Sequence, residues 1–566
     1  NRKPFHHTRA MSNFSLGDIQ EEGFKPLRKT FSEGGNRNTH SSAAPKPFSI
    51  KDPLHAYYQY IDYRTEIYVN RLRDAVAIQS VSALPEKRGE VIRMMEWVDA
   101  WIKKLGGESN LTPNPCGEQE LDDGTTAPLP PILLGSFGSD PSKKTVCVYG
   151  HLDVQPAEKS DGWDTDPFDL TEVDGKLYGR GSTDDKGPAL SWLWMVEAFN
   201  ELKMDLPVNI KIIYEGMEEY GSEGMYEAVF EQAKEGGFLN DVDFFCISDN
   251  YWLGKNKPCL TYGLRGMAYF EVGVECSTKD LHSGVYGGSV HEAMTDLVKL
   301  MSTLVDSQGK ILVDGIMKDV KPVTEEEDKM YDTIDFDVET YKKEVGVTTI
   351  GEKRLRADNK KDLLMARWRF PTLSLHGIEG AFSDSGAKTV IPRKVIGKFS
   401  LRLVPDQDPK QIGECINAHL EAEFAKLNSP NHMWVKAHHG AKAWLSSTDH
   451  PNYTAAAKAV EKVYGQYPDM TREGGSIPIA TWIEDATQMN VLLLPVGASD
   501  DMAHSQNEKF NKSNMINAIK VLGCYLHEIA KIKGPKPSLC RCEPLSMEEM
   551  MVPGAFARGF RCKREI

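Results

Sequence analysis

The 566-residue sequence has no uninterrupted apolar run as long as the roughly 18 residues that a membrane-spanning helix requires. Its most apolar helical run, Ala189–Phe199, is shorter than this and contains Glu197. Positive charge is also scarce, because 82 acidic residues against 67 basic ones give a formal charge of -15. We therefore expect neither a membrane span nor nucleic acid as the main partner. The acidic excess fits either a solvated surface or carboxylates gathered around cations, and only their positions can decide.

The sequence also lacks the paired cysteine motifs that bind zinc, since Cys540 and Cys542 have no second pair to complete them. Cys147 and Cys246 lie in apolar runs, where a free cysteine behaves as a small hydrophobic residue. Residues 1–30 are polar and contain no apolar segment typical of a secretory signal. These features predict a protein of the reducing cytoplasm.

The two terminal segments show no hydrophobic period. Residues 1–48 are rich in Asn, Ser, Gly and basic residues and are predicted to be a disordered N-terminal extension. This extension is either a dispensable tail or, because its beginning holds no acid, a targeting segment. Residues 535–566 contain recurrent Pro and Gly residues and are predicted to be a flexible C-terminal tail. Between them, residues 49–261 and 451–534 are predicted to form one domain, interrupted by a second domain at residues 262–450.

The predicted first domain alternates helices with short strands. Its four apolar or β-branched runs are residues 145–149, 208–214, 242–248 and 490–495. With helices between them, these runs predict an α/β fold with a mostly parallel central sheet. Within residues 262–450 the order of strands and helices instead indicates a small open-faced α+β domain inserted into the first.

Metal-binding side chains follow all four predicted strands. In chain order these are His151 and Asp153, then Glu215, Glu218 and Glu219, then Asp249, and finally Asp500, Asp501 and His504. A glycine-rich loop adds Asp184 and Asp185 directly before a predicted helix. Each residue alone has an ordinary explanation, such as a helix cap or a turn. Because ligands of open α/β sheets bind beyond the carboxyl ends of the strands, the whole set predicts one convergent metal site.

Two histidines with several carboxylates suit zinc or manganese, which the donor types alone do not distinguish. Two such ions about 3.5–4 Å apart share a bridging carboxylate and can activate a water molecule for attack on a carbonyl. A neighbouring carboxylate can take the proton of that water and pass it to a leaving amine. The pattern is therefore typical of a metal-dependent amide hydrolase.

Long strings of the sequence resemble the carnosinase branch of the dinuclear metallopeptidases. They occur in order between residues 73 and 512 and include YGHLDVQPAEKSDGWDTDPF, GRGSTDDKGP, YEGMEEYGSEG, DLHSGVYGGSVHEAMTDL, TREGGSIPIA and AHSQNEKF. The resemblance implies a metallopeptidase catalytic domain and, at residues 262–450, an inserted lid and dimerisation domain. It also implies a homodimer and two divalent metal ions per subunit, with manganese favoured and zinc the alternative.

The resemblance further implies roles for individual residues. The implied metal ligands are His151 and Asp249 on one ion, Glu219 and His504 on the other, and Asp184 bridging both. Glu218 is the implied general base acting on a metal-bridging water, and Asp153 is implied to hydrogen-bond the far nitrogen of His151. The peptide bond between Asp184 and Asp185 is implied to be cis.

For the substrate, the resemblance implies that His282 reaches the active site of the partner subunit and stabilises the oxyanion there. Thr389 and Arg402 are implied to hold the free carboxylate of the substrate, which suits the forked guanidinium of an arginine. Gly475 and Ser476 are implied to lie in a loop that contacts the substrate.

The sequence departs from the family pattern at Thr481 and Trp482, and at Met502, where glycine is usual.

We expect a cytoplasmic metal-dependent dipeptidase that hydrolyses dipeptides with a free C-terminal carboxylate. Its expected specificity is broad and includes Cys-Gly and carnosine-like dipeptides. An N-acyl amino acid hydrolase, or a synthase that runs the reverse condensation, stays open because those substrates also end in a carboxylate. The presence of Glu218 argues against a metal-binding protein without activity.

Overall fold

The computed structural model describes residues 54–121, 124–346, 355–438, 440–534, 542–544 and 560–562. The extension predicted at residues 1–48 lies outside this part of the chain, as does most of the tail predicted at residues 535–566. The described helices are α1 (His55–Tyr63), α2 (Thr65–Val76), α3 (Arg88–Lys104), α4 (Lys186–Glu201), α5 (Met225–Gln232), α6 (Ser283–Tyr286), α7 (Ala293–Ser302), α8 (Glu325–Thr333), α9 (Val338–Glu344), α10 (Lys360–Trp368), α11 (Pro409–Leu427), α12 (Pro451–Tyr464), α13 (Pro478–Thr487) and α14 (Lys512–Ile529). Single 3₁₀ turns lie at Pro85–Lys87, Lys159–Asp161 and Glu218–Tyr220. Among the described helices, none is both long enough and apolar enough to cross a membrane.

The described strands form a large sheet, a smaller second sheet and several short pairings. In chain order they are β1 (Glu108–Thr112), β2 (Glu118–Glu120), β3 (Thr126–Pro128), β4 (Ile132–Phe137), β5 (Thr145–His151), β6 (Thr171–Val173), β7 (Lys176–Tyr178), β8 (Asn209–Glu215), β9 (Phe244–Ile247), β10 (Cys259–Leu264), β11 (Gly266–Glu275), β12 (Leu281–His282), β13 (Thr372–Glu379), β14 (Val390–Ile391), β15 (Lys394–Leu403), β16 (His432–Ala437), β17 (Trp444–Leu445), β18 (Asp469–Glu473), β19 (Val491–Leu493), β20 (Lys509–Asn511), β21 (Cys542–Pro544) and β22 (Phe560–Cys562). The last two strands pair with each other within the predicted C-terminal tail.

The large sheet has the strand order β1-β4-β8-β5-β9-β19-β10-β17, and β18 also pairs with β10. Its central strands β8, β5, β9 and β19 run parallel to one another and correspond to the four strands predicted from the sequence. Antiparallel pairs join β1 and β4, β4 and β8, β19 and β10, and β10 and β17, whereas β18 pairs parallel with β10. The predicted α/β fold is confirmed, with a sheet that is parallel at its centre and mixed as a whole.

Helices cover both faces of the large sheet, because the side chains of each central strand alternate between two apolar layers. In β5, Val146 and Val148 pack in a cluster with Leu193 of α4 and with residues of α12 and α14. Cys147 and Tyr149 belong to a different cluster, which contains residues of α5 and α13. Every residue of β5 is buried, so the end of this strand is fixed inside a packed interior.

The smaller sheet is antiparallel, with the strand order β13-β15-β11-β16. Phe270 and Val272 of β11 pack with Leu297 of α7 and Ile416 of α11, so helices stabilise one face of this sheet. This is the open-faced α+β arrangement expected within residues 262–450. Only Arg265 separates β11 from β10 of the large sheet, so a short, direct connection joins the two sheets there.

Candidate metal centre and active site

The five proposed metal ligands lie at one edge of the large sheet. His151 is the last residue of β5, Asp249 follows β9, and Glu219 lies in the 3₁₀ turn after β8. Asp184 precedes α4, and His504 lies in the loop between β19 and β20. The parallel central strands end at this edge, and the structure brings all five side chains together there.

Two groups of three side chains share Asp184. In the first group, Nε2 of His151 lies 3.3 Å from Oδ1 of Asp184 and 3.8 Å from Oδ2 of Asp249. In the second group, Nε2 of His504 lies 3.1 Å from Oδ2 of Asp184 and 3.0 Å from Oε2 of Glu219. Within each group the ligand atoms all fall within 4.8 Å of one another. An ion held by nitrogen and oxygen at about 2.0–2.2 Å separates its ligand atoms by comparable distances, so each group fits one divalent cation.

The charges of this cluster also favour cations. Burial opposes the ionisation of Asp184, but hydrogen bonds with His151 and His504 outweigh it and lower the pKa of this carboxyl. Hydrogen bonds to Asp184 and Glu219 raise the pKa of His504 to about 11. Burial raises the pKa of Asp249 above its usual range. Closely spaced buried carboxylates are unfavourable unless a positive partner neutralises them, and a divalent ion in each group is such a partner.

Asp153 organises the paired glutamates as well as His151. Its carbonyl oxygen lies 3.1 Å from Nδ1 of His151, and its Oδ1 lies 3.5 Å from the same atom. Its carboxylate accepts hydrogen bonds from the backbone N–H groups of Glu218, at 3.2 Å, and Glu219, at 3.0 Å. The expected contact with His151 is therefore made mainly by the carbonyl of Asp153. The contact of this carboxylate with the glutamate turn could not be predicted from the sequence.

Glu218 lies in the wall of a cavity of about 280 Å³ beside the ligands. Other residues that line this cavity include Asp184, Asp249, His504, Gly475 and Ser476. Burial raises the pKa of Glu218 well above its usual range, with the charges of Asp249 and Glu219 adding to the effect and His151 opposing it. An upward shift is the direction that moves a carboxyl group towards the pH at which a general base works.

Arg402 reaches the wall of the cavity from the second sheet. Its Nη1 donates to Oγ of Ser476 at 3.0 Å, and that hydroxyl donates to the carbonyl oxygen of Arg265 at 2.6 Å. Arg402 lies in β15, whereas Ser476 lies in the loop after β18, so this contact joins the two sheets beside the cavity. The arrangement places a guanidinium group where it can meet a carboxylate.

His282 and Thr389 lie next to each other but not in this cavity. His282 ends β12, is exposed, and accepts a hydrogen bond at Nδ1 from the backbone N–H of Gly284 at 3.0 Å. The N–H of Ser283 donates to the carbonyl oxygen of Thr389 at 3.2 Å, which keeps the two segments together. Within the described part of the chain, neither His282 nor Thr389 lines the cavity that contains Glu218.

Three further residues near the site were not predicted from the sequence: Gln155, Tyr251 and Arg265. Nε2 of Gln155 donates to Oε2 of Glu219 at 2.8 Å, and Tyr251 lines the cavity. Nε of Arg265 donates to the carbonyl oxygen of Gly474 at 3.2 Å. Gln155 follows Asp153 by two positions and Tyr251 follows Asp249 by two positions, so both could have been predicted from the sequence as neighbours of the site. Arg265 offered no such signal, because its role depends on how the two sheets meet.

One backbone feature of the site matches an expectation, and a second concerns Met502, where the sequence departs from the family pattern. The peptide bond between Asp184 and Asp185 is cis, as the resemblance implied. Met502 has a φ of 59°, a left-handed conformation that glycine adopts readily and other residues disfavour. The departure from the glycine that the resemblance implied therefore lies at a backbone conformation that suits glycine.

The α/β fold and the ligand cluster around Asp184 define a metallopeptidase. A family model described as peptidase family M20/M25/M40 matches residues 147–528, and the chain belongs to this family.

The chain is similar to curated dipeptidases over most of its length. It is 49% identical to a Cys-Gly metallodipeptidase of Schizosaccharomyces pombe, over 85% of this chain and 100% of the relative. It is 47% identical to the Beta-Ala-His dipeptidase of Homo sapiens, over 88% of this chain and 96% of the relative.

Solved structures agree with these similarities. Human carnosine dipeptidase 1 matches with a TM-score of 0.79 and 46% identity, over 86% of this chain and 100% of that chain. The di-peptidase Dug1p of Saccharomyces cerevisiae matches with a TM-score of 0.80 and 45% identity, over 85% of this chain and 99% of that chain. The resemblance to the carnosinase branch is therefore confirmed.

Proposed function

We propose that the protein is a metal-dependent dipeptidase that hydrolyses dipeptides with a free C-terminal carboxylate. The observation that carries this proposal is that two groups of ligand atoms share Asp184, with Glu218 lining the same cavity. The cavity beside the two groups is lined by Glu218, Gly475 and Ser476, so a peptide bond bound there would lie next to the proposed base. The names of the relatives, a Cys-Gly metallodipeptidase and a Beta-Ala-His dipeptidase, support the same class of substrate.

The proposed roles divide the work between metal ligands and a base. The two groups would each hold a divalent ion, which would supply Lewis-acid chemistry by polarising a carbonyl and lowering the pKa of a bound water. Glu218 takes the proton of the attacking water and passes it to the amine that leaves. Asp153 holds the turn so that Glu219 serves as a ligand while Glu218 acts as the base. We favour manganese, as the family resemblance implied, with zinc as the alternative. One histidine with two carboxylates in each group suits either metal.

Arg402 is the proposed partner of the substrate carboxylate. Its guanidinium is oriented by Ser476, a residue of the cavity wall, and a guanidinium matches a carboxylate by two parallel hydrogen bonds. Gly475 lies beside Ser476 and also lines the cavity, which supports its proposed contact with the substrate.

The test of the base is Glu218→Ala. We expect the variant to keep its bound metal while turnover falls about 10²- to 10⁴-fold, because proton transfer is lost. Glu227→Ala, which removes an exposed carboxylate from α5, is the matched control and should behave as wild type. Wild-type turnover in Glu218→Ala, measured with metal analysis of the same sample, would show that the mechanism is wrong.

The substrate range is a separate question. We propose broad specificity that includes Cys-Gly and carnosine-like dipeptides. N-acyl amino acids also end in a carboxylate, so Arg402 fits them equally well. Comparing kcat/KM for Cys-Gly, β-Ala-His and N-acetylated amino acids after chelation and readdition of manganese or zinc separates these classes and identifies the effective metal. A preference for N-acetylated substrates would replace the dipeptidase proposal by an acyl amino acid hydrolase.

We also infer a homodimer in which His282 and Thr389 complete the active site of the partner subunit. The support is that both residues are exposed, adjacent and outside the cavity of their own chain. Mixing His282→Ala subunits with Glu218→Ala subunits tests the inference. If His282 acts across the interface, mixed dimers contain one site with both residues intact, and activity recovers. If it acts within its own chain, mixing restores nothing.

The proposed location is the cytoplasm. Cys147, Cys246 and Cys259 are buried free thiols, as expected in a reducing compartment. Cell fractionation followed by detection of the protein tests this proposal.

A further inference from the structure

Two loops that carry metal ligands are tied together by buried carboxylates. Residues 180–184 carry Asp184, and residues 501–508 carry His504. Glu508, at the end of the second loop, is fully buried, and Arg180, at the start of the first, is 3% exposed. Nη1 of Arg180 donates to Oε2 of Glu508 at 2.7 Å, so an ion pair joins the loops inside the protein.

Both oxygens of Glu508 are used on the loop that carries Asp184. Oε2 also accepts from the backbone N–H of Gly181 at 3.0 Å. Oε1 accepts from the N–H groups of Thr183, at 3.0 Å, and Asp184, at 3.2 Å. Glu508 therefore fixes the backbone of the shared ligand directly.

Arg180 contacts the other loop next to its ligand. Its Nη2 donates to the carbonyl oxygen of Ser505 at 3.0 Å, one residue after His504. The pair of Arg180 and Glu508 thus holds both ligand-bearing segments at once.

Asp501 makes a second tie at the beginning of the same loop. Its Oδ2 accepts from Oγ1 of Thr183 at 2.9 Å and from the N–H of Ala498 at 2.9 Å. Its Oδ1 lies 2.5 Å from Nζ of Lys509. The loop that carries His504 is therefore held at both ends, and each end contacts the loop that carries Asp184.

The backbone between Asp501 and Glu508 depends on these contacts. Met502, His504 and Asn507 have φ values of 59°, 59° and 61°, in the left-handed region that residues other than glycine disfavour. Such conformations persist where the surroundings hold them in place. The position of His504 therefore depends on contacts that the loop cannot supply alone.

A buried ion pair is not by itself a stabilising device, because loss of hydration offsets the attraction between the charges. The role of Glu508 is instead indicated by its hydrogen-bond partners. They are the N–H groups of the loop that carries Asp184, together with an arginine that reaches back beside His504.

We propose that Glu508, paired with Arg180, is a positioning residue that sets the separation between Asp184 and His504. It thereby sets the affinity of the ligand group formed by Asp184, Glu219 and His504. The inference rests on the proposed function, since it assumes that this group binds a divalent ion.

Glu508→Gln is the test, because the amide offers one oxygen where two are needed and directs an NH₂ group at existing N–H donors. The matched control is Glu197→Gln, which makes the same change in another buried ion pair. Glu197, on α4, pairs with Arg64 and Arg71 rather than with the ligand-bearing loops. For each protein we would measure Mn²⁺ binding by titration calorimetry, kcat and KM for Cys-Gly, and the Tm of the metal-free form.

In Glu508→Gln we expect the affinity for Mn²⁺ to fall about 10- to 100-fold, with a comparable loss in kcat and little change in KM. Glu197→Gln should lower Tm but bind both ions as wild type does. The proposal is overturned if Glu508→Gln binds Mn²⁺ and turns over Cys-Gly as wild type does. It is equally overturned if Glu197→Gln shows the same losses. If wild type itself takes up no Mn²⁺, the proposed function has failed rather than the role of Glu508.

Should Glu508→Gln not fold, Arg180→Lys carries the same test. Lysine keeps the positive charge but lacks the forked group that contacts both Glu508 and Ser505. A lower affinity for Mn²⁺ in Arg180→Lys supports the proposal, and unchanged Mn²⁺ binding overturns it.

Discussion

Glu218 and Glu219 are neighbours in the chain yet have different surroundings. Oε2 of Glu219 lies 3.0 Å from Nε2 of His504 and accepts a hydrogen bond from Gln155, whereas Glu218 lines the cavity. Both backbone N–H groups of this turn donate to Asp153. At the scale of single residues, the carboxylate of Asp153 therefore fixes the turn in which Glu219 faces His504 and Glu218 faces the cavity.

Asp153→Asn tests this anchor. The amide has one acceptor oxygen for two N–H donors, so the turn should lose its fixed orientation. We expect kcat for Cys-Gly to fall about 10- to 100-fold, with weaker metal binding. Asp243→Asn is the control, because Asp243 is also buried and accepts from the N–H of Thr145 at the opposite end of β5. Equal losses of kcat in both variants would show that Asp153 does not position the glutamate turn.

At the scale of elements, the sequence predicted the central strands because each is an apolar run that is buried on both faces. It did not predict α8, which reads EEEDKMYDT and buries Tyr331 alone among its residues. Without an apolar stripe, nothing in the sequence distinguishes such a helix from a polar loop. Strand β4 was also missed, because Gly135 interrupts its short apolar run.

The same contrast applies to the candidate site. His151 and Asp249 could be singled out because they follow parallel strands, whose carboxyl ends meet at one edge. The contact between Arg402 and Ser476 could not, because it joins two different sheets. The hold of Glu508 on residues 181–184 is similarly a product of the folded structure, since it links loops that are distant in the chain.

The contact between β15 and the loop after β18 leads to a prediction about substrate recognition. Arg402→Lys keeps the charge but loses the fork that matches a carboxylate. We expect KM for a dipeptide to rise about tenfold or more, since a charge-assisted hydrogen bond contributes roughly 1.5–3 kcal/mol. Hydrolysis of the corresponding dipeptide amide, which lacks the carboxylate, should be slow in wild type and no slower in the variant. If both substrates lose kcat/KM equally, Arg402 does not recognise the carboxylate.

At the scale of the whole molecule, the acidic excess has two components. The formal charge is -15, and most acidic residues lie away from the ligand cluster. A small subset, including Asp184, Asp185 and Asp249, is buried at the edge where the central strands end. Most of the acidity therefore lies outside this edge of the sheet, and within the subset Asp184 and Asp249 belong to the proposed metal site.

Removing the metal ions should consequently destabilise the entire fold. A ligand that binds only the native state at 100 times its Kd adds about 2.7 kcal/mol to the free energy of unfolding. The carboxylates of Asp184, Glu219 and Asp249 also repel one another once the cations are gone. We expect the Tm of wild type to be several degrees lower in a chelator than in Mn²⁺. In Asp184→Asn, which loses the shared ligand, most of this difference between the two conditions should disappear. Equal Tm values for wild type with chelator and with enough Mn²⁺ to restore turnover would contradict coupling between the metal centre and the fold.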